Sequence, residues 1–203
     1  MDLAVIGISF AAIFLVELPD KTFVAALVLS TRYRGLMVWI GVGLAFLVQT
    51  ILAVTVGRVV VRFLPEQVVE AVALLIFLAG AVLLFRAAPG ADEAEQEAER
   101  EYEARGDEAK RGLAAIGASF LVLFAAEWGD LSQLLTISLV GRYGHTLSVF
   151  VGAWGALLVV SGLAVLVGRF LLRHVRLSVV HYIGAAVCLV LAVITGYELA
   201  TSL

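Results

Sequence analysis

The chain has 203 residues, 62% of them hydrophobic, with a mean hydropathy of +1.04 and a formal net charge of −3. Soluble globular domains are about half apolar, so a water-soluble enzyme or a nucleic-acid-binding module is excluded and an integral membrane protein is expected. Cys188 is the only cysteine; an internal disulfide is impossible, and the residue reads as a small, buried helix-packing group.

Crossing a bilayer takes about 20 apolar residues in a helix. In chain order, runs of that kind are predicted over residues 3–31, 35–57, 68–85, 113–141, 146–168 and 177–197, which makes six spans. The first opens Met-Asp-Leu, with no basic stretch and no small-residue cleavage site, and is expected to stay in the membrane as a helix. Within it lies Val16-Glu17-Leu18-Pro19-Asp20-Lys21-Thr22, where two acids, a lysine and a proline interrupt an apolar run. The second and fifth spans carry Gly41-x-x-x-Ala45 and Gly152-x-x-x-Ala156, small-residue stripes suited to close helix contact. They also carry Gln49, Thr50 and Ser161, for which interhelical hydrogen bonding is expected. Glu70 and His181 open the third and sixth spans, where interfacial solvation is the default expectation.

Between the third and fourth spans lies a stretch from Pro89 to Gly112 with nine acids and four bases. Its apolar content is too low for a packed domain, so a solvated linker is expected. Its acids also lack the Asp-x-Asp-x-Asp-Gly spacing of a calcium loop. The chain therefore divides into a first three-helix repeat at 1–88, an acidic cytoplasmic linker at 89–112 and a second three-helix repeat at 113–203. The repeat is visible in the residues themselves. Residues 6–33 laid over 116–143 without a gap match at ten of twenty-eight positions, including Glu17 with Glu127, Asp20 with Asp130 and Arg32 with Arg142. After a one-residue slip the register pairs Gly41 with Gly152, Thr50 with Ser161 and Arg62 with Arg173.

Because each repeat has an odd number of spans, the second enters the membrane from the opposite side. The predicted fold class is thus an all-α membrane protein of six transmembrane helices arranged as two inverted three-helix repeats. Ten basic residues fall on one side of the predicted spans against three on the other. The positive-inside rule then puts both termini outside, as in a multi-pass protein of a bacterial inner membrane.

Glu17 and Asp20 share a helix face at i, i+3 spacing, as do Glu127 and Asp130. Each pair sits midway along its span, near the bilayer centre, with Thr22, Ser132 and Gln133 close behind. A single acid there costs about 2.5–3.5 kcal/mol on insertion scales, so four need a compensating ion. Repulsion and desolvation make it costly for all four to ionise, and some should hold protons near neutral pH. A divalent cation would displace those protons, because metal ligation requires deprotonated carboxylates. An all-oxygen ligand set of Glu17, Asp20, Thr22, Glu127, Asp130, Ser132 and Gln133 favours Ca²⁺, Mn²⁺ or Mg²⁺. Pro19 and Gly129 occupy equivalent positions between the acids and are expected to kink or break the helices there. Lys21 has no basic counterpart in the second half, where Leu131 stands, and is expected to compensate charge.

Glu17-Leu18-Pro19-Asp20-Lys21-Thr22 and Glu127-Trp128-Gly129-Asp130-Leu131-Ser132-Gln133 resemble the duplicated Glu-x-Gly-Asp-Lys/Arg-Ser/Thr motif of a transporter family. This is the manganese/calcium transporter family of eukaryotic Golgi and bacteria, within the cation/Ca²⁺ exchanger superfamily. The departures are Pro19 in place of glycine and Leu131 in place of a basic residue. The resemblance spans essentially the whole chain. It implies movement of Mn²⁺ or Ca²⁺ out of the cytoplasm in exchange for protons, with the motif acids in the ion pathway. The expected partners are then the transported cation, protons and the lipid bilayer, with no nucleic acid, no cofactor beyond the transported ion, and homo-oligomerisation left open. Two other classes are weighed: an exporter of a small organic solute, and an intramembrane acid hydrolase using paired aspartates.

Overall fold

The computed structural model describes residues 1–18, 21–91, 93, 94, 96, 97, 100, 113–174 and 177–202, and no strand occurs among them. The helices are α1 (Leu3–Glu17), α2 (Lys21–Arg32), α3 (Gly35–Phe63), α4 (Glu66–Ala87), α5 (Leu113–Ala126), α6 (Leu131–Tyr143), α7 (Thr146–His174) and α8 (Leu177–Ser202). A short 3₁₀ turn, Ala88–Gly90, follows α4. Most of the predicted linker lies outside the described residues.

Local chemistry explains several of the boundaries. The Asp2 carboxylate caps α1, accepting from the backbone N–H groups of Ala4 (2.8 Å) and Val5 (3.3 Å). Pro65 separates α3 from α4, as expected of a residue that cannot continue a helical ladder but sits well at a helix start. Helix α6 stops at Gly144, whose φ of +66° lets its N–H bond back to the Val140 carbonyl at 2.9 Å.

Four stretches are long and apolar enough to cross a membrane by themselves: Gly35–Val60, Gln67–Gly90, Thr146–Leu166 and Ser178–Thr201. The first and fourth predicted spans are each broken in two. Helices α1 and α2 meet at a bend of 71° and α5 and α6 at 72°, so the described residues hold four candidate spans, or up to six if each bent pair counts as one. The expected break at each motif is therefore present, and it is sharp enough that neither span is a continuous rod. Alternation of buried and exposed apolar residues fits a lipid environment: Phe23, Phe46, Phe77 and Leu135 are fully buried, whereas Leu75, Val82 and Val193 are exposed on the periphery.

Each broken pair is seated on the other half of the chain. Helix α1 packs chiefly on α7, and also on α6 and α8, while α5 packs chiefly on α3. The long helices α3 and α7 pack on each other, as do α4 and α8. Close approach depends on two glycines. A methyl group at Gly41 would collide with the Ile116 carbonyl oxygen and lie 2.9 Å from Ser119 Cβ; one at Gly152 would collide with the Ile6 carbonyl oxygen and lie 2.9 Å from Ser9 Cβ. Ile6 and Ser9 are the sequence equivalents of Ile116 and Ser119, so the two contacts match atom for atom, and both stripes pack as expected. The ring pairs match as well: Phe10 stacks on Phe14 at 5.7 Å and Phe120 on Phe124 at 5.5 Å.

One expectation is corrected. The Thr50 and Ser161 hydroxyls do not bridge helices; they donate to carbonyls of their own helices, Thr50 to Phe46 (2.7 Å) and Ser161 to Leu157 (2.8 Å). A hydroxyl four residues beyond a helix carbonyl reaches it without a partner helix. An interhelical polar contact is made instead by Arg142, whose guanidinium in the last turn of α6 pairs with Glu198 of α8 at 2.7 Å and donates to Thr195 Oγ1 at 2.7 Å.

Candidate metal centre

The two breaks bring the two motifs to one place. Glu17 ends α1, Glu127 follows α5, and Asp130 precedes α6; one carboxylate oxygen from each lies within 4.8 Å of the others. Glu17 is fully buried and Glu127 is 3% exposed, with Asp130 half-buried beside them. Thr22, also buried, donates its hydroxyl from the first turn of α2 to Glu127 Oε1 and so ties the first motif to the second. Pro19, Asp20 and the side chain of Lys21 lie outside the described residues.

The second break can be followed atom by atom. Gly129 has a φ of +78°, a left-handed conformation that costs other residues about 1–2 kcal/mol. This turns the chain so that Asp130 starts α6 as its N-cap, accepting from the backbone N–H of Ser132 (3.2 Å) and of Gln133 (3.0 Å). The Ser132 hydroxyl donates to the same carboxylate at 2.7 Å. Gln133 spans the break: its Nε2 donates to the Glu127 carbonyl at 2.9 Å and its Oε1 accepts from the Gly129 N–H at 3.2 Å. A chain leaving a helix strands backbone carbonyls and amides that must find partners at this depth. Gln133 supplies two of those partners.

A third comes from Gln49 on α3, whose Nε2 donates to the Phe124 carbonyl at 3.0 Å. Phe124 lies in the last turn of α5. In the first half the equivalent carbonyl, that of Phe14, receives the Leu18 N–H at 2.9 Å. At this carbonyl the two halves differ: a backbone N–H satisfies it in the first, and a side chain from a third helix in the second. The interhelical hydrogen bond expected of Gln49 is therefore present; its signal was an amide in mid-span, and that it serves the broken end of α5 followed only from the fold.

Of the predicted site residues, Glu17, Thr22, Glu127, Asp130, Ser132 and Gln133 therefore converge. Three carboxylates come together, the Thr22 and Ser132 hydroxyls donate to two of them, and the Gln133 amide is turned along the backbone. Such an array of hard oxygen donors is chemically suited to a divalent cation.

Comparison with known proteins agrees with this chemistry. A protein-family model described as divalent cation/proton antiporter GDT1 matches residues 5–92 and 115–202. The chain is similar to the GDT1-like protein 1, chloroplastic, of Oryza sativa subsp. indica, at 31% identity over 99% of this chain and 65% of that protein. It is similar to a GDT1-like protein of Synechocystis sp. at 31% identity over 89% of this chain and 91% of the relative. It also matches a Vibrio cholerae protein named "Putative manganese exporter", at 29% identity over 96% of this chain and 92% of the relative. The chain spans less than two thirds of the length of the chloroplastic relatives it matches. No solved structure matches it significantly.

Proposed function

The chain belongs to the GDT1 family of divalent cation/proton antiporters, and from that premise we propose that it exports Mn²⁺ or Ca²⁺ from the cytoplasm in exchange for protons. In this reading Glu17, Asp20, Glu127 and Asp130 hold either the cation or protons. The observation that carries it is the buried meeting of Glu17, Glu127 and Asp130, with ligand oxygens within 4.8 Å of one another at two helix breaks. Because a metal at such oxygens requires them deprotonated, loading a cation releases protons at the same atoms. Exchange then needs no second site.

The other residues take roles consistent with their contacts. Thr22 and Ser132, whose hydroxyls donate to Glu127 and Asp130, each keep oxygen lone pairs to offer a cation. Gln133 acts by holding the break open, and the lone pair of its amide oxygen that the Gly129 N–H does not use serves as an auxiliary ligand. Pro19 and Gly129 break the helices, and Lys21 compensates charge when the cation has left. Manganese is favoured by the name of the Vibrio cholerae relative; calcium uses the same donors.

We further read the two halves as an inverted repeat flanking a solvated cytoplasmic linker, supported by the matched contacts at Gly41 and Gly152 and by the paired bends. Positive-inside asymmetry supports both termini outside, in a membrane of the bacterial inner-membrane type. The family is one of transporters, so the acid-hydrolase reading is dropped. A three-carboxylate cluster this tight suits an ion better than an organic solute.

The test is flux in proteoliposomes over a panel of divalent ions, with and without a pH gradient. Cation movement should be driven by the proton gradient, and Glu127→Gln should abolish it in protein that still inserts and folds. Flux that ignores the gradient, or that survives Glu127→Gln, would reject the proposal.

A further inference from the structure

Outside the metal centre, a cavity of about 570 Å³ opens between α4 and α8. Its walls are Leu78 and Val82 of α4 and Ala186 and Leu189 of α8, all exposed on the surface of the described protein. The helices run antiparallel along it, since Gly184 lies against Leu84 and Gly196 against Leu74, and Phe85 meets Tyr182 edge-on at 5.4 Å. From Leu78 to Arg86 the groove is about 12 Å long at 1.5 Å per residue, most of the depth of one leaflet's hydrocarbon. One end carries a charge. Arg86, in the last turn of α4, is exposed and lines the mouth beside Tyr182, and it makes no ion pair with a described residue. At the opposite end of the seam the guanidinium of Arg142 is already paired with Glu198, and in the repeat register Arg86 corresponds to Tyr197 and Tyr182 to Ala71.

An apolar slot closed at one end by a guanidinium and a phenol matches an amphiphile with an apolar tail and an anionic head. Arginine binds phosphate oxygens bidentately, and tyrosine favours the headgroup level of a bilayer. A second copy of the chain fits less well, because the lining offers no acid to meet the arginine of its partner across a two-fold contact. We propose that this groove holds one anionic phospholipid from the leaflet on the Arg86 side, with an acyl chain between α4 and α8 and its phosphate on Arg86.

The test uses the full-length protein, delipidated in a neutral detergent and titrated with phosphatidylglycerol or phosphatidylcholine of identical chains. Thermal unfolding and lipid retention by native mass spectrometry are the readouts. Phosphatidylglycerol should raise Tm at concentrations where phosphatidylcholine does not, with one lipid retained per chain. Arg86→Gln should remove the headgroup preference and Arg86→Lys should keep part of it. Ala186→Trp, which fills the groove from its exposed side, should abolish retention with either lipid. Both positions are exposed, so the variants should melt like the parent before lipid is added. Equal stabilisation by both lipids, or a preference that survives Arg86→Gln, overturns the proposal. So does a dimer that Ala186→Trp splits, which would make a second copy the occupant.

Discussion

At Gly129 the local backbone and the chemistry of the site depend on the same atom, an α-hydrogen in place of a side chain. A Cβ there would meet no atom within 4 Å, so the cost of Gly129→Ala is conformational and should be about 1–2 kcal/mol. Gly117→Ala, equally uncrowded but inside α5, should instead be neutral or stabilising by up to about 1 kcal/mol, because alanine is the better helix former. Thermal unfolding in detergent separates the two. Equal losses would show that φ is not what Gly129 contributes. Gln133→Leu removes the partners of the Gly129 N–H and the Glu127 carbonyl. It should cost about 1–3 kcal/mol for each group left unsatisfied in a dry environment, and it should weaken cation affinity more than Ser138→Ala, whose hydroxyl only bonds back along its own helix. Matched affinities in the two variants would count against the role assigned to Gln133. The acids at this site were legible in the sequence because charge in an apolar run has few innocent explanations. An interhelical bond from Gln49 was legible, but the use of both Gln133 and Gln49 at the break was not, since an amide can cap a broken helix or face an ion with the same composition, and only the positions of the freed carbonyls decide.

Among the helices, the decisive feature is how closely α3 approaches α5 and α1 approaches α7. Gly41→Ala and Gly152→Ala both drive a methyl group into a backbone carbonyl, which a side-chain rotation cannot relieve. Each should destabilise by about 1–3 kcal/mol, the range for overpacking, and by similar amounts, since the colliding atoms are sequence equivalents. Gly155→Ala is the control: the nearest neighbour of its methyl group would be the Phe10 ring at 3.8 Å, an ordinary contact. Unequal effects at Gly41 and Gly152 would mean that the two halves are packed differently under load. The sequence pattern was enough to place both stripes, because small residues four apart have a packing consequence that survives any arrangement of helices. It placed the breaks but could not give their angle. Glu17 to Thr22 and Glu127 to Ser132 hold different breakers, proline and glycine, yet the flanking helices turn by 71° and 72°. What the two share is the demand of the surrounding bundle.

For the molecule as a whole, the order of packing explains why the repeat is so plain in the residues. Helix α1 rests chiefly on α7, and α5 chiefly on α3, so the matched close contacts at Gly41 and Gly152 each join residues of opposite halves. The α4 and α8 seam backs onto the same centre: a methyl at Gly80 would touch Leu131 at 3.5 Å and one at Gly184 would meet the Leu15 carbonyl at 3.2 Å. Filling the outer groove with Ala186→Trp should therefore change Mn²⁺ affinity, measured by metal-dependent thermal shift, although no ligand is touched. An unaltered shift would show that the seam and the centre move independently. The crossed seating of α1 and α5 has one more consequence. A chain severed within residues 89–112 should still reassemble when its two pieces are made in the same cell, whereas either piece alone lacks the cradle for its own bent helix. On the inverted-repeat reading, a lone piece would find that cradle only in a twin inserted upside down.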